Sequence, residues 1–403
     1  MEANPFKSAK RKPVMGRKIA VFTDTYLPQV NGVVTYLFDS LRMLAKNNSI
    51  VLFAPGEGKF HSEDVGPNFR IHWIPSAPFP FYEGYRMAFV DYARINNILK
   101  EEKPDIIHIH APVNLGLQGI IAGRKRKIPI VITYHTHFPD YFPHLFNGKL
   151  PKVLGGISGY TVKKIIKHTF KKADIVTAPS KELVRELEGY GLHNVVYLPN
   201  GVDLSRVRAS KIERDNFLKS HKIPSGKKVI LYLGRISFEK RIEYLLEAFR
   251  LIEQKDRFLV IAGGGPYVKN FRELAAKMGI KNVVFTDFVK NIGAAYSCGT
   301  IFASASDSET FGLTFVEAMH MGLPVIGVAK FGANEVIKSG SGLLVQPGSV
   351  GELADAMEKL LKNEPLRKKM AKEAKKTAKE YSIEKSIKHT WDIYERLIRE
   401  NQN

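Results

Sequence analysis

The run Leu231-Tyr232-Leu233-Gly234-Arg235-Ile236-Ser237-Phe238-Glu239-Lys240 reads as the end of a buried strand, a glycine turn and two cations set ahead of a helix. Short uninterrupted apolar runs are the mark of strands covered on both faces, which are the strands of parallel sheets wrapped by helices. In an open α/β sheet ligands sit beyond the strands' carboxyl ends. Arg235 and Lys240 stand there, where an arginine fork and a lysine point charge hold phosphate groups. Surface arginines and lysines are common, so taken singly each reads first as a solvated surface cation.

The alternation continues in both directions. Lys18 to Thr23, Ile50 to Ala54, Ile106 to His110, Pro129 to Tyr134, Ile175 to Ala178 and Val195 to Leu198 form one set of apolar runs. Lys228 to Leu233, Arg257 to Ile261, Val283 to Phe285, Thr300 to Ala303, Val325 to Val328 and Gly342 to Val345 form a second. Helical patterns lie between them, so the expected fold class is α/β with two doubly wound parallel sheets. Pro199-Asn200-Gly201-Val202-Asp203 punctuates the chain between the sets. The expected division is a basic, mobile tail over residues 1–16, a first domain over 17–201 joined by a last helix at about 383–403, and a second domain over 202–382.

Composition agrees with this division. A chain of 403 residues has length for two cores, and 44% hydrophobic with 10% aromatic residues excludes a disordered chain. One cysteine, Cys298, permits no internal disulfide and points to a reducing, cytoplasmic setting. No window offers 18 apolar residues without charge, and MEANPFKSAKRKPVMGRK lacks the apolar centre of a signal peptide.

Ser308-Glu309-Thr310-Phe311-Gly312-Leu313-Thr314-Phe315-Val316-Glu317 sets two carboxylates eight residues apart, with a Phe-Gly-Leu turn between them and a helical pattern from Thr314 to Met321. Backbone amides opening that helix suit an anion, while ionised Glu309 and Glu317 accept from sugar hydroxyls. A polar loop followed by an amphipathic helix is the plainer reading. A third loop, Ala262-Gly263-Gly264-Gly265-Pro266, follows the strand ending at Ile261 and allows close backbone approach, or is a plain strand-to-helix turn.

Together with FTDTYLPQVNGVVTYL, HIHAP, TYHTHFPDY, LPNGVDLSRV, LGRISFEKRIEYLL, IAGGGP and SETFGLTFVEAMHMGLPVI, these loops make the chain resemble the retaining glycosyltransferases of family 4 from Lys18 to the last helix. FTDTYLPQVNGVV and YHTHFPDYF are most similar to its glycolipid-forming branch, which glycosylates diacylglycerol or similar acceptors. The resemblance implies the GT-B architecture, a donor cleft between two Rossmann-like domains, and transfer of a hexose from a UDP- or GDP-sugar with the anomeric configuration kept. Arg235 and Lys240 are then expected to stabilise the leaving diphosphate, Glu309 to orient the sugar and Glu317 the ribose. Gly264, Phe311, Gly312 and Leu313 complete the donor side.

In the first half, Pro28-Gln29-Val30-Asn31-Gly32-Val33 precedes a helical pattern carrying Tyr36, Leu37 and Leu41. The resemblance places Gly32 against the donor diphosphate; the residues themselves equally suit a helix-start glycine. Strand alternation puts His108 and His110 on one face. His110, at the strand's end, is either a hydrogen-bonded core residue or aimed into the cleft, and the resemblance sets it near the anomeric carbon, with the less usual Ala111 after it. His108 reads as structural. Thr133-Tyr134-His135-Thr136-His137-Phe138-Pro139-Asp140-Tyr141 mixes imidazoles with aromatics. No cysteine supports a zinc site, and no Asp-x-Asp pair occurs in the chain, so no metal and no cofactor are expected. His135 and Tyr141 read as acceptor-side contacts.

The net charge of +21 is uneven, since residues 149–172 hold seven lysines and no carboxylate. Val162, Ile165, Ile166, Thr169 and Phe170 recur at helical spacing, with Lys163, Lys164, Lys167 and Lys171 on the other side. A basic amphipathic helix suits an anionic membrane surface, at about 1 kcal/mol for each lysine near the lipid. A domain helix whose apolar stripe faces its own core fits the stripe equally well. Nucleic acid is not an expected partner, for no aromatic platform accompanies the lysines. The expected function is peripheral transfer of a hexose to a lipid-linked hydroxyl on the cytoplasmic face of a membrane. A soluble glycosyltransferase acting on a sugar or phospho-sugar is the alternative, and a non-catalytic sugar-nucleotide-binding protein the third.

Overall fold

The computed structural model describes residues 16–29, 31–79, 85–137, 139 and 152–402. The chain divides into two units, one running to Gly201 and resuming at Glu384, the other spanning Val202–Ile383. The tail expected over 1–16 lies outside the described residues except for Gly16.

In the first unit the strands are β1 (Lys18–Phe22), β2 (Ser49–Gly56), β3 (His61–Gly66), β4 (Phe69–Pro78), β5 (Arg86–Ala88), β6 (Ile106–Ile109), β7 (Ile130–Thr133), β8 (Ile175–Ala178) and β9 (Val195–Tyr197). Among the described residues they form one sheet in the order β3-β4-β2-β1-β6-β7-β8-β9, with β5 on β4. Every pairing is parallel except those of β3 and β5 with β4. The central strands β6, β7 and β8 are buried throughout and are apolar apart from His108, Thr133 and Thr177, whose side chains bond to one another in a chain. β3, β4 and β5 were not expected. The edge strand β3, HSEDVG, is exposed at its first four positions, and its Glu63 and Asp64 suit an edge that must not pair further.

The helix Ile383–Gln402 belongs to this first unit from Glu384 onward. Its Ile393, Tyr394, Leu397 and Ile398 enter a core shared with Ile19, Val21, Leu37, Leu41 and Leu52. Burial of four such side chains contributes roughly 6–12 kcal/mol before conformational entropy is subtracted. Polar contacts fix the helix in register: the Tyr394 hydroxyl lies 2.5 Å from His108 Nδ1, and Arg17 Nε donates to Glu395 at 3.1 Å.

The second unit holds β10 (Lys228–Leu233), β11 (Arg257–Ala262), β12 (Val283–Phe285), β13 (Ile301–Ala303), β14 (Val325–Val328) and β15 (Gly342–Val345). They pair in parallel in the order β12-β11-β10-β13-β14-β15. Alternate residues of β10 feed two cores: Val229 and Leu231 pack with Phe302 and Phe315, Ile230 and Tyr232 with Leu245, Leu259 and Ile301.

One buried carboxylate organises the loops around β1. Asp24 accepts backbone N–H groups of Val113 at 3.1 Å, Asn114 at 3.1 Å, Leu115 at 2.8 Å and Gly116 at 3.3 Å. These amides open the helix Leu115–Arg126, which has no side-chain cap from its own N-cap residue, so Asp24 satisfies its orphan donors from the loop after β1. Burial nevertheless pushes the Asp24 carboxyl above its ordinary range. Asp24→Ala is expected to destabilise the protein by about 3 kcal/mol or more, through several buried donors left unpaired; urea unfolding of the full chain measures this, and a loss under about 1 kcal/mol would contradict the role.

Candidate active site

Strand order reverses between β10 and β13 in the second unit and between β1 and β6 in the first. Crevices for ligands open at the carboxyl ends of such strands. The candidate residues are therefore taken unit by unit from those ends.

Beyond β10, the chain passes Gly234 and Arg235 into a short turn, Phe238–Lys240. Lys240 Nζ donates to Glu309 Oε1 at 2.6 Å, with the two side chains only 14% and 21% exposed. Glu309 comes from the loop after β13, so the ion pair spans the point of reversal. The two loops are also laced by the Ser306 and Ser308 hydroxyls, which donate to the Glu239 carbonyl at 3.4 and 3.3 Å. The Gly332 N–H, in the first turn of the helix Phe331–Val336 that follows β14, donates to the Glu309 carbonyl at 2.7 Å. Arg235 is half-buried, and its carbonyl accepts from the buried Tyr232 hydroxyl at 2.9 Å.

The turn Phe311-Gly312-Leu313 leads into the helix Leu313–His320. Gly312 takes φ +85°, where a Cβ would meet the Phe315 ring at 2.6 Å, so glycine is required. Glu317 is buried and accepts from the Tyr296 hydroxyl at 2.7 Å; burial and that carboxylate push the tyrosine well above its ordinary range. The loops after β10 and β11 lie backbone to backbone. The Ile236 N–H donates to the Gly264 carbonyl at 2.8 Å. A Cβ on Gly263 would fall 1.9 Å from the Gly234 carbonyl and one on Gly265 2.1 Å from that of Ile236.

In the first unit His110 follows β6. Its N–H donates to the Phe22 carbonyl at 2.8 Å, and its Nδ1 lies 2.8 Å from His135 Nε2, which follows β7. The two rings lie edge to edge and within 15° of one plane, their centroids 5.1 Å apart, and the His108 ring is 3.9 Å from that of His110. Burial lowers all three imidazoles, His108 and His135 to about 3 and His110 well below its ordinary value, so all are neutral near pH 7. Ala111, next in the chain, holds φ +122°, a strained conformation for a residue with a Cβ. Gly32 is the first residue of the helix Gly32–Leu44, whose Asn31 cap accepts from the Val34 N–H at 2.9 Å.

Family models divide the chain along the same line. The model described as Glycosyltransferase Family 4 matches residues 30–206, and that of Glycosyl transferases group 1 matches residues 213–377. The alpha-monoglucosyldiacylglycerol synthase of Streptococcus pneumoniae is 34% identical over 323 residues, 77% of this chain and 70% of that one. The chain belongs to glycosyltransferase family 4. This glycosyltransferase is also 27% identical to the sulfoquinovosyl transferase SQD2 of Arabidopsis thaliana, over 91% of its own length and 71% of that relative's. Its fold is GT-B: Anabaena HepE, crystallised with UDP-glucose, superposes with a TM-score of 0.76 over 94% of this chain and all of that one at 17% identity.

The family 4 enzyme differs from its sequence-based expectation at several side chains. Phe311 is 2% exposed and meets Tyr381 edge-on at 5.5 Å, so its ring is core and any donor contact there falls to backbone. Gly264 is the one glycine of its loop with room for a side chain, its nearest neighbour in Phe288 at 3.8 Å; the tight positions are 263 and 265. His135, expected at an acceptor, is 6% exposed and bonded to His110, while Tyr141 lies outside the described residues. On the basic helix Lys152–Phe170, Val162, Ile166, Thr169 and Phe170 point inward, but Ile165 is 58% exposed beside Lys163, Lys164 and Lys167. Lys171 falls just past its end. Among the described residues no three His, Cys, Asp or Glu side chains are grouped as for a metal ion, and no helix is long and apolar enough to cross a membrane.

Tyr232, Tyr296 and Asp24 were not singled out from sequence. Tyr296 sits 21 residues before Glu317 on another helix, and Asp24 some 90 residues before the amides it binds, so no local spacing connects them.

Two outcomes follow from these contacts. Gly265→Ala is expected to cost roughly 2–3 kcal/mol by driving a Cβ into backbone, and Gly264→Ala under about 1; equal melting temperatures for the two variants would contradict the packing. Each imidazole has its pKa lowered on folding, so below the unfolded value near 6.5 the unfolded chain binds more protons and stability falls. From pH 7 to about 5.5 the three histidines are expected to remove roughly 3 kcal/mol, about 1 each, and His108→Asn to flatten that slope by about a third in urea titrations.

Proposed function

We propose that this glycosyltransferase moves a hexose from a nucleoside diphosphate sugar to a lipid-linked hydroxyl such as that of diacylglycerol, with retention of anomeric configuration and without a metal. The observation that carries the donor half is the Lys240–Glu309 pair at the reversal of the second sheet. Its two charges are shielded from water, which costs free energy and is poor evidence of a stabilising role. Shielded titratable groups at a strand-end crevice are what donor chemistry needs.

Lys240 and Arg235 meet the charge that develops on the departing diphosphate, a stabilisation that grows toward the transition state. Glu309 accepts from sugar hydroxyls. Glu317, braced by Tyr296, accepts from the ribose, and the amides after Gly312 face an anion. His110 contacts the sugar near its anomeric carbon, and Gly32 the diphosphate.

The acceptor half is supported by the alpha-monoglucosyldiacylglycerol synthases of Streptococcus pneumoniae and Acholeplasma laidlawii among the relatives. A basic helix face adds weight, with Tyr160 and Ile165 exposed among Lys163, Lys164 and Lys167. Such a surface suits peripheral binding to the anionic cytoplasmic leaflet. A soluble acceptor is the second reading, favoured by the N-acetyl-alpha-D-glucosaminyl L-malate synthase of Bacillus anthracis, 25% identical over 94% of this chain.

The test offers UDP-glucose, UDP-galactose and GDP-mannose with diacylglycerol in phosphatidylglycerol vesicles, or with malate in buffer, and follows nucleotide release and product configuration by NMR. An α-glycosyl diacylglycerol is expected. Lys240→Met is expected to lose roughly 10²–10³ in kcat while the protein stays folded. Transfer to malate alone, or undiminished turnover by Lys240→Met, would overturn the reading.

A further inference from the structure

The polar contacts of His110 are few and specific. Its N–H donates to the Phe22 carbonyl at 2.8 Å, its carbonyl accepts from the Thr23 hydroxyl at 3.3 Å, and its ring Nδ1 lies 2.8 Å from His135 Nε2. The residue is only 3% exposed. A nitrogen-to-nitrogen distance of 2.8 Å requires one N–H and one lone pair, so the two rings cannot both be protonated at those atoms. Either His110 Nδ1 carries the proton and its Nε2 is an acceptor, or His135 Nε2 carries it and His110 Nε2 is a donor. In each case the nitrogen left for a ligand has one fixed character, which a free imidazole exchanging tautomers lacks.

We propose that His135 is a positioning residue, whose bond to Nδ1 holds the His110 ring in one orientation and one tautomer so that Nε2 meets a donor-sugar hydroxyl. The surroundings are built for this. Tyr36 from the helix Gly32–Leu44 packs 5.4 Å from the His135 ring and 6.4 Å from that of His110. His108, beneath, is itself immobilised by Tyr394 and by Thr133 Oγ1 at 2.6 Å. Two imidazoles from neighbouring strands are thus clamped between an aromatic ring and a satisfied third histidine. Around metal ions, groups that fix a ligating histidine through its other nitrogen typically matter 10–100-fold, which sets the scale expected of the same arrangement here.

The inference rests on His110 acting at the donor sugar, and the test separates the two. In full-length protein with ¹⁵N-labelled histidine, one tautomer is expected at His110, with a scalar coupling to His135 across the N–H···N bond. His135→Phe should abolish the coupling and give mixed tautomers. With UDP-glucose and diacylglycerol vesicles it should lower kcat 10–100-fold with the donor KM within about threefold, and His135→Gln, which can again bond Nδ1, should recover most of the rate. Absence of the coupling in wild-type protein, or an unchanged His110 spectrum in His135→Phe, overturns the pairing even if activity falls. If the spectrum changes as expected but neither His135→Phe nor His110→Ala slows transfer, the pairing stands and the donor role of His110 fails. Should His135→Phe not fold, the wild-type coupling and the His135→Gln rate decide the matter.

Discussion

Parallel pairing is the constraint on which the rest depends. A parallel strand cannot return by a hairpin, so each must be followed by a crossover that carries the chain back along the sheet. All carboxyl ends then open on one edge, and every loop leaving that edge lies beside its neighbours. In the second unit this brings together the segments that follow β10, β11, β13 and β14, which carry Arg235 and Lys240, Gly264, Glu309 and, at a helix start, Gly332. In the first it gathers Asp24, His110 and His135 from the ends of β1, β6 and β7. Residues far apart in sequence meet because their strands are neighbours.

The same constraint explains the polar interior. A loop edge packed this closely has buried backbone groups that no ladder satisfies. Asp24 takes four amides, Tyr232 reaches the Arg235 carbonyl, and Ser306 and Ser308 turn to Glu239. Glycine serves where even a methyl group would collide, at 263, 265 and 312. Strain is tolerated at Ala111, whose left-handed backbone is held between a bonded histidine and the amides gripped by Asp24.

Sequence made the buried parallel strands plain, because a strand covered on both faces is apolar at nearly every position, His108, Thr133 and Thr177 being bonded to one another. It was silent on β3, a charged and exposed edge, and on β4, whose apolar residues are interleaved with Arg70, His72, Pro75 and Ser76 and so form no such run. The cations after Gly234 and the acids around Phe311 could be found from position alone, each lying past a strand end. Side-chain direction was not legible. Phe311 and Leu313 flank a glycine turn in similar fashion on paper, yet the Phe311 ring is sealed in the core and Leu313 only half-buried. Ile165 completes an apolar stripe by spacing but stands in solvent, since the stripe facing the core is narrower than the pattern. The contact between His110 and His135 depends on the register of β6 with β7, which neither segment encodes alone.

The helix Ile383–Gln402 gives the chain a particular order of assembly during synthesis. Tyr394, Leu397 and Ile398, which fill the core of the first unit, leave the ribosome after the whole of Val202–Ile383 has emerged. Domains ordinarily complete themselves from the amino terminus as translation proceeds. Here the unit begun first is finished last, and until those turns dock, the core around Ile19, Val21 and Leu52 is covered only in part, by Leu37 and Leu41 of the helix Gly32–Leu44, with the remainder open to water or to a chaperone.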